Sequence, residues 1–179
     1  DNYGVLWIGT EDGGLNRFNL NTKEFSFFAP SAGFTNIHGL CLVDDKLWVG
    51  TFSKGLKIID TRTGTVLKTY QKNSSPRSLI DNSIFAICRT ATGDIYLGTM
   101  FGLVKYNKQS DDFDRIPELN GKFVYDIKED SGGNMWLATY ANGAYCYNVN
   151  DRKWKNYVHD EKDTTSLSYN KVSSIFEDS

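Results

Sequence analysis

The chain has 179 residues, with 20 lysines and arginines against 22 aspartates and glutamates, a net charge of −2. That near-balance argues against a dedicated nucleic-acid binder, which needs a basic field, and 40% hydrophobic content argues against a chain disordered by composition. No apolar run is long enough to span a bilayer, and three cysteines without a Cys-x-x-Cys spacing beside two histidines make a zinc site improbable.

The opening Asp1-Asn2-Tyr3-Gly4 has no basic-then-apolar leader. It runs directly into Leu6-Trp7-Ile8-Gly9-Thr10, which recurs as Leu47-Trp48-Val49-Gly50-Thr51, Ile95-Tyr96-Leu97-Gly98-Thr99 and Met135-Trp136-Leu137-Ala138-Thr139. The aromatic anchors at 7, 48, 96 and 136 are spaced by 41, 48 and 40 residues. Each is followed by a second unit: Gly14–Asn19, Gly55–Asp60, Gly102–Asn107 and Gly143–Asn148. A short third unit comes next, at Phe25–Phe28, Val66–Tyr70, Phe113–Ile116 and Trp154–Tyr157. A fourth precedes the following anchor, at Ile37–Val43, Ile84–Arg89, Val124–Glu129 and Val172–Glu177. These units are short, rich in β-branched and aromatic residues, and separated by turn signals such as Thr92-Gly93-Asp94 and Ser131-Gly132-Gly133-Asn134. Four short strands in each repeat of 40–48 residues predict an all-β chain of β-propeller blades, each a four-stranded antiparallel sheet. The anchors are expected to fill the gap between neighbouring blades, and the cysteines to be small core residues.

The phase of the repeat predicts a blade lacking its inner strand over 1–30, complete blades over 37–70, 84–116 and 124–157, and an isolated inner strand over 171–179. The chain therefore reads as a fragment of a larger propeller array. Its open edges, Val5–Thr10 and Lys171–Glu177, could pair within the chain as a four-blade ring, pair with a second copy as an eight-blade ring, or stay open as an arc. The gentle turn of a wide ring favours self-association by exchange, or the arc, over the tight ring.

The pattern Ser78-Leu79-Ile80-Asp81-Asn82 or Ser166-Leu167-Ser168-Tyr169-Asn170, then an inner strand ending Glu-Asp, then Trp-Ile-Gly-Thr and Gly-Leu, resembles the two-component regulator propeller repeat over essentially the whole chain. Tyr96 for Trp, Ala138 for Gly and the short turn at Asp44-Asp45 depart from it. The resemblance implies part of the periplasmic sensor region of a hybrid two-component histidine kinase, responding to an oligosaccharide. It implies no cofactor, no nucleic-acid contact in this segment, and membrane attachment only through other parts of the protein.

Function has to be sought in a site rather than in the fold. The turns after each anchor strand, Glu11-Asp12-Gly13, Phe52-Ser53-Lys54, Met100-Phe101 and Tyr140-Ala141-Asn142, share one propeller face with the connections between blades, Ser31–Asn36, Gln71–Ser83, Pro117–Lys122 and Val158–Asn170. Aromatic rings flanked by polar side chains suit sugars, whose C–H faces stack while their hydroxyls hydrogen-bond. The predicted ligand-binding residues are Asp12, Phe52, Lys54, Phe101, Tyr140 and Asn142, with packing against a neighbouring loop as the other reading. No catalytic or metal-binding set stands out. The paired carboxylates, such as Asp44-Asp45 and Asp111-Asp112, fall in turns, so this segment is expected to be non-catalytic. The alternative to a sensor is a structural or protein-interaction propeller.

Overall fold

The repeat becomes sheet because each unit alternates a side facing the preceding blade with a side facing the following one. The structure, a computed structural model, describes residues 1, 3–28 and 34–178. The remaining positions of the expected first blade, and the Ser31 end of the first connection, lie outside the described residues. A three-stranded antiparallel sheet, β1 (Val5–Thr10), β2 (Gly14–Asn19) and β3 (Phe25–Phe28), comes first. Three four-stranded antiparallel sheets follow, each with its strands in sequence order. The second blade is β4 (Ile37–Val43), β5 (Lys46–Thr51), β6 (Leu56–Asp60) and β7 (Val66–Tyr70). The third is β8 (Ile84–Arg89), β9 (Ile95–Thr99), β10 (Gly102–Asn107) and β11 (Asp112–Arg115). The fourth is β12 (Val124–Glu129), β13 (Met135–Thr139), β14 (Ala144–Asn148) and β15 (Lys153–Tyr157). The inner strands β4, β8 and β12 lie side by side, so the sheets fan out from a common line, as propeller blades do.

The apolar residues collect into one core per blade junction. Trp7 and Leu15 of the first blade meet Leu47, Val49 and Ile59 of the second. Trp48 and Ile58 of the second meet Ile84, Leu97 and Phe113 of the third. Leu103 and Tyr96 of the third meet Val124, Leu137 and Tyr145 of the fourth. Trp48 is buried and meets the edge of Tyr106 in the next blade at 5.0 Å and 74°. The anchor glycine makes room for the neighbour. A Cβ on Gly50 would sit 2.7 Å from Ile84 Cγ2, and one on Gly98 2.8 Å from Val124 Cγ1, closer than carbon atoms pack.

The long connections are clasped structures. Ser78 Oγ donates toward the carbonyls of Asn73 and Ser75, and Ser166 Oγ toward those of Asp160 and Asp163. Asn82 Oδ1 accepts from the Lys72 N–H and Asn170 Oδ1 from the His159 N–H, both at 2.7 Å. The carbonyls of the same two asparagines accept from the turn glycines Gly55 and Gly143. This accounts for the repeated Ser-Leu-x-x-Asn.

The expected isolated inner strand behaves differently from a strand. Residues 171–178 form no sheet ladder and are not paired with β1. They lie against the fourth blade instead. The Val172 N–H donates to the Thr139 carbonyl at 2.9 Å, the Ile175 N–H to Asp126 Oδ2 at 3.1 Å, and Glu177 accepts from the Ser131 N–H at 2.7 Å. Glu129, at the matching position one repeat earlier, accepts from the Ala91 N–H at 2.6 Å. The segment thus occupies an inner-strand place without a second strand to complete a ladder.

Candidate functional site

The site starts from a defect repeated in three inner strands. Ile37 pairs with Thr51 but Gly39 with Gly50; Ile84 pairs with Thr99 but Ala86 with Gly98; Val124 pairs with Thr139 but Asp126 with Ala138. Each is a β-bulge, one residue opposed by none, which re-aims the side chain it carries. The bulged residues are His38, Phe85 and Tyr125, and all three stand at the end of the blades where the turns after the anchor strands emerge. Those turns are fixed by a buried threonine. Thr51, Thr99 and Thr139 Oγ1 donate to the carbonyls of Gly55, Gly102 and Gly143 at 2.6–2.9 Å and accept from the N–H groups of Lys54, Phe101 and Asn142. The residue after each threonine then donates its N–H across the blade: Phe52 to Asn36, Met100 to Ser83 and Tyr140 to Phe123.

Bulge and turn together assemble a continuous aromatic face. His38 lies 4.7 Å from Phe85, Phe85 lies 4.4 Å from Phe123, and Phe123 stacks on Tyr125 at 4.4 Å and 16°. Phe52 borders His38 and Phe85 at 6.2 and 6.1 Å, and Tyr140 closes the row against Phe123 and Tyr125 at 5.7 and 5.9 Å. Lys171 Nζ sits over the outer ring, 4.4 Å from the Tyr140 centroid. A cavity of about 610 Å³ opens on this face, lined by Phe52, Phe85, Phe123, Tyr125, His38 and Met100 and by the polar residues Glu11, Asp12 and Asn36. Its volume falls within the range of small-molecule sites, about 300–1,000 Å³. The Asp12 N–H donates to Asn36 Oδ1 at 2.6 Å, tying the first blade's turn to the start of the second blade.

The predicted residues divide. Asp12 and Phe52 line the cavity, and Tyr140 extends its aromatic wall. Lys54, Phe101 and Asn142 do not line it. Lys54 and Asn142 hold their turns through backbone N–H groups on threonine. Phe101 stands second after its threonine, so Met100, directly after Thr99, takes the place held by Phe52 and Tyr140 in the neighbouring blades. Sequence reasoning missed His38, Phe85, Phe123 and Tyr125, which lie in or beside the inner strands. A signal for them exists. Ile37 and Leu40, Ile84 and Ile87, and Val124 and Ile127 reach the same core at a spacing of three, which a regular strand does not allow.

Elsewhere the reactive groups are subdued. Burial pushes the thiols of Cys41, Cys88 and Cys146 up, that of Cys88 to about 11 with Cys41 adding to the effect, so they stay protonated near neutrality. A second cavity of about 510 Å³ between the second and third blades carries charges already matched in part, Asp44 with Arg89 at 3.3 Å and Asp94 with Lys105 at 2.8 Å. Among the described residues no group of His, Cys, Asp and Glu is placed to hold a metal ion.

Comparison with known proteins gives the repeat its family. Residues 78–101 and 118–141 match the family model described as two component regulator propeller. Histidine kinase P4 of Formosa agariphila is 32% identical over 147 residues, 75% of this chain and 11% of that one. The extracellular domain of a hybrid two-component system of B. thetaiotaomicron superposes with a TM-score of 0.75 at 22% identity, over 98% of this chain and 23% of that one. PorZ, a surface component of the type-IX secretion system of Porphyromonas gingivalis, gives 0.74 at 18% identity, over 97% and 28%. At these identities the two structural likenesses speak to the fold, and the chain spans only about a tenth of the kinase it matches. Residues 78–101 and 118–141 are thus two-component regulator propeller repeats, and the anchors, the Ser-Leu-x-x-Asn clasps and the bridging glutamates carry the same plan into the neighbouring blades.

Proposed function

We propose that the chain is part of the periplasmic sensor region of a hybrid two-component histidine kinase, and that its aromatic face binds an oligosaccharide whose presence is passed across the membrane. The observation that carries this reading is the row His38–Phe85–Phe123–Tyr125–Tyr140 with Phe52 beside it, partly exposed at one end of the blades and bordered by Asp12 and Asn36. Rings offer stacking to the C–H faces of pyranoses, and the flanking amide and carboxylates accept from hydroxyls. Similarity to a histidine kinase and to an extracellular sensor domain supports the placement in a receptor.

The test is calorimetric titration of the chain with a panel of neutral, basic and acidic oligosaccharides. Phe52→Ala and Tyr140→Ala together remove two exposed rings of the face and should weaken binding roughly tenfold or more. Phe101→Ala removes an equally exposed ring outside the face and should leave binding unchanged. Equal losses in both variants, or binding by no saccharide, would contradict the proposal.

A further inference from the structure

Charge is distributed unevenly around the aromatic cavity. Glu11 and Asp12 line it, both are exposed, and neither takes part in an ion pair among the described residues. Asp12 is held in place by its backbone bond to Asn36 and adopts a left-handed conformation at φ 47°, which is uncommon for a residue with a Cβ. The turn therefore places two carboxylates at the rim of an apolar wall. The neighbouring lysines do not offset them: Lys54 and Lys122 do not line the cavity, and Lys171 sits over Tyr140 at the far end of the row.

We infer that the face, read as a saccharide site, selects by charge and takes amine-bearing sugars in preference to neutral ones, excluding uronates and sulfated sugars. This rests on the saccharide reading above and adds the ligand class to it. An ammonium group on a sugar ring would meet the carboxylates of Glu11 and Asp12 while the ring lies against Phe52 and Phe85, where an aromatic face adds cation–π attraction. An anionic sugar at the same place would bring like charges together beside a low-dielectric wall, where repulsion is strongest. Field lines from the rim would also speed the approach of cationic ligands and slow that of anionic ones.

The experiment titrates the chain with three oligomer series of matched length: β-1,4-linked glucosamine, β-1,4-linked glucose and galacturonate. The glucosamine oligomer is expected to bind at least tenfold more tightly than the glucose oligomer, and the galacturonate oligomer not measurably. In the Glu11→Gln, Asp12→Asn double variant the ratio of glucosamine to glucose affinity should fall to about one. These substitutions keep size and polarity and lie on exposed turn positions, so the fold is retained. Equal binding of the glucosamine and glucose series, or tighter binding of galacturonate, would overturn the charge selection while leaving the saccharide reading in place. Binding of none of the three would overturn both.

Discussion

Gly98 shows how one atom decides the approach of two blades. Its missing Cβ is the space into which Val124 of the next blade projects, and an added methyl would also meet the Val124 carbonyl oxygen at 3.1 Å. Backbone on both sides leaves little to give way. Gly98→Ala is therefore expected to destabilise the chain by about 1–3 kcal/mol, the usual cost of overpacking, measured as a lower urea midpoint with an unchanged slope. An unchanged or raised midpoint would show that the blades are free to separate. Ala138 occupies the matching place in the fourth blade, where the neighbouring segment beginning at Val172 belongs to no ladder. The importance of these glycines was legible in the sequence as an aromatic residue followed by x-Gly-Thr, since a glycine repeated at three of the four anchors must answer a repeated geometry. What was not legible is the identity of the partner, because Ile37, Ile84 and Val124 are separated from their glycines by 28, 34 and 26 residues of chain.

At the scale of elements, the strands were readable and their irregularities were not. Repeated aromatic anchors located the blades, and turn residues bounded the strands, because both signals are local. A bulge adds one residue without changing composition, so His38, Phe85 and Tyr125 look like ordinary strand positions until apolar residues three apart are seen to share a core. Phe101 shows the opposite failure, since its aromatic character matched the neighbouring turns while it stands second after its threonine, where those turns carry Ser53 and Ala141. The connections show a further device. The Arg77 guanidinium grips Asp112 at the start of β11 through Nε and Nη2, at 2.5 and 2.7 Å, and reaches Asp114 at 3.1 Å. Arg77 and the Ser110 hydroxyl hold the Asp112 carboxyl at about 2, well below its ordinary value. A carboxyl depressed by folding stabilises the fold fully above its unfolded value near 4 and loses that contribution as pH falls toward 2. The stability difference between the native chain and Asp112→Asn should accordingly be constant from pH 5 to 7 and shrink between pH 4 and 2. A difference independent of pH over that window would mean that the pair contributes nothing through its charge.

Across the whole molecule, the cores between blades carry the architecture, and the two end faces are what a repeat leaves without a neighbour. Leu6 is 50% exposed while its counterpart Leu47, covered by the first blade, is 3% exposed. Phe27 on the same outer face is 77% exposed, and Phe176 at the opposite end 89%. These exposed rings, with Phe101, provide a built-in control for the ligand face, because they are apolar and accessible yet belong to no bulge. The stacking of blades was readable from the sequence, whereas the face itself arises from three bulges and three turns in register, a property of the assembly that no single repeat displays. The most direct measurement is a ¹H–¹³C aromatic correlation spectrum recorded while a saccharide is titrated into the chain. Binding at the aromatic face predicts progressive shifts of Phe52, Phe85, Phe123, Tyr125 and Tyr140, with Phe27, Phe101 and Phe176 unmoved. Shifts confined to the end-face rings, or a spectrum unchanged at saturating saccharide, would contradict it.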